Sequence, residues 1–153
     1  MNTEPAGGPV LAALDLSEHS APTLEWAARI ARCEQLALTV LLVAHDPDDH
    51  PGTFASDTGE VETITSVAER HLHEFLSDNS EILDGVEVTT EVVRGLPASR
   101  IVEVADSIGA RHIVIGSHGK SGWVDRVVGT DADRIIRHAR VPVTVVKTPP
   151  DRP

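Results

Sequence analysis

Tyrosine is absent from this 153-residue chain, and aromatics make up only 3% of it against 41% apolar residues overall. The interior must then be filled by Val, Ile, Leu and Ala, the usual filling of a sheet buried under helices on both faces. Cysteine occurs once, at Cys33, which excludes an internal disulfide or a multi-cysteine metal site and suits a reducing compartment. No run approaches the roughly 18 apolar residues that a membrane span needs, and no basic segment followed by an apolar one opens the chain. A cytoplasmic location is expected. Basic charge is also scarce: 13 Lys and Arg against 24 Asp and Glu leave a formal charge of -11, and Lys120 and Lys147 are the only lysines. Nucleic acid and anionic membranes bind clustered Lys and Arg, so neither is expected as a partner.

What remains is a chain of the length of one full-sized core. A Gly/Pro-rich leader over 1–8, expected to be disordered, precedes one domain over 9–148 and a short tail over 149–153. Apolar periodicity predicts a first strand over 10–14 that ends at Asp15. Ser20 is a natural N-cap and Pro22 sits in the first turn of a helix with Leu24, Ala27, Ala28 and Ala31 on its inner face, ending near Glu34. The continuous apolar run over 38–44 reads as a strand buried on both sides. Residues 45–59, rich in Asp and Pro, read as an irregular loop, and Val61, Ile64, Val67, Ala68, Leu72, Phe75 and Leu76 as an amphipathic helix.

Val86, Val88, Thr90 and Val92 alternate as a third strand stopping at Gly95. Pro97 opens a third helix that Gly109 ends. Ile113, Val114 and Ile115 form a fourth strand leading into Gly116; Ile135, Ile136 and Ala139 mark a fourth helix; and Pro142 starts a last strand over Val143 to Val146. Five strands alternating with four helices predict an α/β fold, an open, doubly wound, Rossmann-like parallel sheet with helices on both faces. Ligands of such sheets bind beyond the strand C-termini where the strand order reverses. Asp15 and Gly116 both stand at strand C-termini, as candidates for two sides of one crevice.

The segment 116–130 carries the chemistry. Gly116 and Gly119 flank Ser117 and His118, nine residues separate Gly119 from Gly129, and Thr130 starts the last helix. Glycines let main-chain N–H groups approach an anion, a helix N-terminus offers unpaired donors with partial positive charge, and the Thr hydroxyl adds one more. A P-loop is excluded although Gly119, Lys120 and Ser121 match its end. That motif needs Gly where this chain has Val114, inside a strand.

Together, the strand ending at Asp15, the turn Gly95-Leu96-Pro97-Ala98, the loop Gly116-Ser117-His118-Gly119, Gly129 with Thr130, and the closing strand resemble the universal stress protein (UspA) family in its nucleotide-binding branch. The resemblance covers 10–147. It implies an ATP site in which Ala13, Leu14 and Asp15 meet the adenosine beside Ala44. Ile115 and Gly116 begin the phosphate cradle, and Gly119, Gly129 and Thr130 contact the phosphates with His118 and Asp131 close by. Mg2+ or Mn2+ would accompany the ATP, and a homodimer would form through Val143 to Val146. Two stretches depart from the pattern: Val43 stands where the family often has His, and after Thr130 the residues Asp131 and Ala132 replace a neutral residue and a frequent second hydroxyl. A carboxylate at Asp131 opposes phosphate at the same helix end by about 0.3–1 kcal/mol if exposed; a divalent ion bridging the two would reverse the sign.

Structural roles compete at several of these residues. Thr130 with Asp133 also fits a capping box. Asp15 also fits a loop cap. His71 and His73, two apart on a helix, point to different faces and do not make a metal site. Cys33 reads as an idle or buried thiol, and Trp123 suits either the crevice or a dimer contact. No Gly-x-Ser-x-Gly elbow is present. The function expected is an ATP-dependent stress or regulatory protein with little or no turnover, acting on a protein partner not named by the sequence. The alternatives are a nucleotide-free dimeric interaction module and a slow metal-dependent ATPase.

Overall fold

The computed structural model describes residues 7–45, 53–55, 61–117 and 130–147. Five parallel strands form the main sheet: β1 (Val10–Leu14), β2 (Leu38–His45), β5 (Val88–Gly95), β6 (His112–Gly116) and β7 (Val143–Val146), in the order β5-β2-β1-β6-β7. A short antiparallel pair, β3 (Thr53–Ala55) with β4 (Val61–Thr63), stands apart from it. The helices are α1 (Ser20–Glu34), α2 (Ile64–Asp78), α3 (Pro97–Ser107) and α4 (Thr130–His138).

Alternation along the strands divides the core into two layers. Val10, Ala12, Leu14, Val40, Val114 and Val146 pack with Leu24, Ala27, Ala28 and Ala31 of α1 and Leu72 of α2. Leu11, Leu41, Ile113 and Ile115 point the other way, onto Ala98, Ile101, Val104 and Ala105 of α3 and Ala132 and Ile135 of α4. Crossovers between parallel strands are right-handed in nearly all folds, so a chain that reverses its direction across the sheet must switch faces with its helices. From β1 the chain moves outward to β2 and β5 under α1 and α2; it then returns past β1 to β6 and β7 under α3 and α4. The strand order therefore reverses between β1 and β6.

Several boundaries differ from the pattern-based expectation. The N-cap of α1 is His19, without a side-chain cap, and Ser20 is already helical. Residues 53–55 form a strand rather than irregular loop, and Val61 belongs to its partner. Helix α2 accordingly starts at Ile64, where Thr63 and Ser66 close a reciprocal capping box. Of the leader, Gly7 and Gly8 lie against the turn that precedes β6: a Cβ on Gly8 would lie 1.6 Å from the Gly109 carbonyl oxygen, so no other residue fits there without a backbone shift. Residues 1–6 lie outside the described residues, as do 148–153. Gly109 takes φ +63 just after the α3 C-cap at Ile108, as its role as a stop requires.

Candidate functional site

The turn after β1 is built by Asp15. Its Oδ1 accepts from the Ser17 N–H at 2.9 Å and from Ser20 Oγ at 3.2 Å. This Asx turn ties the strand end to the first turn of α1. Between them Leu16 holds a left-handed φ of 61°, a conformation that costs a non-glycine residue about 1–2 kcal/mol. Its half-buried side chain packs onto the core, which offsets that cost. Oδ2 of Asp15 makes no hydrogen bond among the described residues and Asp15 is half-buried, so one carboxylate oxygen is left uncommitted there. The loop-cap role of Asp15 is therefore real, and it engages half of the carboxylate.

On the other side of the reversal, Gly116 ends β6 paired with Val146, and the buried Ser117 donates its N–H to the Val146 carbonyl at 2.9 Å. Ile115 is buried beneath. Ala13 is half-buried on the α3/α4 face, and Leu14, in register with Leu42, lies on the α1 face. Ala44 lies two residues past that pair, near the end of β2. Thr130 opens α4, which links β6 to β7 and so begins on the side of the sheet where β6 ends. Asp131 in the same turn is exposed. Asp133 Oδ2 accepts from Arg137 Nε at 3.0 Å, an i,i+4 pair. Of the predicted site, Ala13, Leu14, Asp15, Ala44, Ile115, Gly116, Thr130 and Asp131 gather at the C-terminal ends of β1, β2 and β6 and the start of α4. His118, Gly119 and Gly129 lie outside the described residues, as does Trp123.

Backbone and side-chain chemistry both favour an anionic, hydroxyl-bearing ligand in this crevice. Helix α4 brings the N–H groups of its first turn, which have no acceptor within the helix, and Asp15 brings one acceptor oxygen. No group of three or more His, Cys, Asp or Glu among the described residues is arranged to hold a metal by itself. His71 and His73 are both exposed on α2, and Cys33 is exposed, not buried. Ser17 and Ser20 were not singled out for this site, although two hydroxyl residues at two and five positions after a strand-ending Asp are the visible signal of such a turn.

The family model for the universal stress protein family matches residues 8–147. The chain belongs to the universal stress protein family. Over 143 residues this universal stress protein is 29% identical to a homolog of Coxiella burnetii, spanning 90% of the chain and 94% of that relative. Over 149 residues it is 33% identical to a universal stress protein of Mycobacterium tuberculosis, of which it spans 46%. A relative from Methanocaldococcus jannaschii is 37% identical over 93 residues, 60% of this chain and 55% of that one. Some relatives are thus about twice as long and others match end to end. The fold is that of UspA from Lactobacillus plantarum, with a TM-score of 0.71 at 22% identity over 92% of this chain and 99% of that one. It is also that of an Archaeoglobus fulgidus universal stress protein solved in complex with dAMP, with a TM-score of 0.61 at 22% identity over 90% of this chain and 96% of that one. No helix among the described residues is long and apolar enough to cross a membrane.

Proposed function

We propose that this universal stress protein binds ATP in the crevice between β1 and β6 and acts as a nucleotide-dependent regulatory protein with little or no turnover. The observation that carries the reading is the meeting, at the reversal of strand order, of a half-committed Asp15 with the Ile115-Gly116 strand end, on the side where α4 begins. Relatives of the same fold lend support, since one was solved with dAMP and another universal stress protein, with a TM-score of 0.68 at 19% identity, was solved with cAMP. In this reading Ala13, Leu14 and Ala44 line the adenosine end and Asp15 accepts from the ribose. Gly116, Gly119, Gly129 and Thr130 present donors to the phosphates, with His118 and Asp131 beside them.

Mg2+ or Mn2+ fits this arrangement only as a companion of the phosphates. The Asp131 carboxylate is a hard oxygen donor beside the phosphates, and one or two carboxylates are the usual protein share for Mg2+ when phosphates supply the rest. The ion would neutralise phosphate charge that Asp131 otherwise repels. A homodimer through Val143 to Val146 belongs to the same reading, as does a cytoplasmic site of action on a protein partner.

Asp131 also favours a second reading, a dimeric interaction module that binds no nucleotide because its helix end already holds a carboxylate. Radiolabelled ATP retention and turnover, measured together, separate the cases. Binding without turnover supports the regulator; turnover that disappears in Asp15→Ala supports a slow ATPase; neither, in any metal condition, leaves the module.

A further inference from the structure

Helix α1 carries an exposed apolar stripe that nucleotide binding does not use. Trp26 is 46% exposed, in a chain with two Trp, two Phe and no Tyr. The Arg29 guanidinium carbon stands 4.6 Å from the ring centroid, a stack that covers part of the indole and leaves the rest in water. Ile30, one turn on, is only half-buried.

The direction of the stripe follows from Arg32. Its guanidinium donates to the main-chain oxygens of Ile82 and Asp84, in the turn that leads into β5. One flank of α1 therefore faces the β5 side of the sheet. At about 100° per residue, Trp26 and Ile30 lie roughly 120° and 160° round the helix from Arg32. They face the other way, over β6 and β7, strands that α1 also touches. On that face β6 and β7 offer His112 and Thr144, each two residues from a core valine, joined to one another at 2.6 Å. Among the described residues β7 is the last strand at this edge of the sheet. On the opposite face α4 packs against β7.

We infer that this stripe is the second contact surface of the dimer, with Trp26 and Ile30 of one copy meeting the same residues of another across the two-fold axis. The inference rests on the proposed pairing of β7 with β7. A four-residue strand spans only about 13 Å, and a pair of such strands falls well short of the roughly 1,200 Å² that stable interfaces bury. The flanking helices must supply the remainder. Antiparallel pairing about an axis normal to the sheet keeps like faces together, so the two α1 helices flank one groove floored by the β7 pair. Lying over β1 and β6, each helix axis is about two strand spacings, or ~10 Å, from the two-fold. The two are then ~20 Å apart, twice the distance of directly packed helices. Side chains as long as Trp on each side close such a gap, with Arg29 covering the outer ring face at its rim.

Trp123→Phe leaves Trp26 as the sole indole for a test by sedimentation, emission and acrylamide quenching across a dilution series. Emission at shorter wavelength and weaker quenching in the dimer than in the monomer are expected. Trp26→Ala should raise the dimer dissociation constant tenfold or more, with the far-ultraviolet circular dichroism unchanged. A dimer in which Trp26 stays as quenchable as a free indole and Trp26→Ala associates as tightly as its parent overturns this inference and leaves the β7 pairing standing. A parent chain that is monomeric throughout overturns both.

Discussion

Asp15 caps its turn with one oxygen, the proposed function gives the other to the ligand, and substitution separates the two. Asparagine retains an acceptor for Ser17 N–H and Ser20 Oγ and loses the charge; alanine loses both. Asp15→Ala is expected to lower unfolding stability by about 1–2 kcal/mol, and Asp15→Asn by less than about 0.5 kcal/mol, in denaturant titrations. Both should weaken Mg2+-dependent ATP binding, whereas a purely structural Asp15 predicts that Asn binds as the parent does. The strand ending in Asp15 was legible in sequence because acid at a strand C-terminus followed by helix period is a local pattern. Ser20 was misread as the N-cap because Ser before an apolar period usually is one. Here its hydroxyl is drawn to Asp15, a contact that depends on the left-handed Leu16, and no residue pattern announces a leucine in that conformation.

At the scale of elements, apolar period located the five sheet strands and four helices, since each buries one stripe or alternates between two layers. The β3 and β4 pair was missed because three-residue strands are too short to show a period and lie among Asp, Pro and Gly. On helix α2, Leu72 is the one fully buried residue, at 1% exposure, with Ala68, Phe75 and Leu76 packed on the same core. Leu72→Ala should cost about 2–5 kcal/mol by thermal or chemical unfolding, unless α2 resettles onto β2. Helix α4 carries an opposite tension. Asp131 favours the helix N-terminus and would oppose phosphate there, so in the absence of Mg2+ Asp131→Val should tighten ATP binding about two- to five-fold while costing the fold about 0.3–1 kcal/mol. Unchanged affinity in calorimetry would remove Asp131 from the phosphate site.

For the whole molecule, alternation of strand and helix made the doubly wound sheet predictable, and the chirality of crossovers then leaves few ways to arrange it. The strand order itself, with its reversal between β1 and β6, was not written in any single segment; it brings Asp15 and Gly116, far apart in the sequence, to one crevice. The two sheet edges differ in a way that bears on assembly. The β5 edge carries exposed Thr89 and Thr90 with Glu91 and Arg94, residues that discourage strand addition, whereas Val143-Thr144-Val145-Val146 carries no charge. Sedimentation should accordingly give a concentration-dependent dimer, and Thr144→Lys, which sets like charges near one another across the two-fold, should shift it toward monomer. A monomer for the unmodified chain at all concentrations would contradict the pairing.

The central claim is that the crevice holds ATP. Calorimetric titration of the purified protein with ATP, with and without Mg2+, beside a Gly116→Val, Gly129→Val double variant of unchanged circular dichroism, tests it most directly. Saturable binding that the double variant loses is the predicted result; no heat of binding in either metal condition would contradict it.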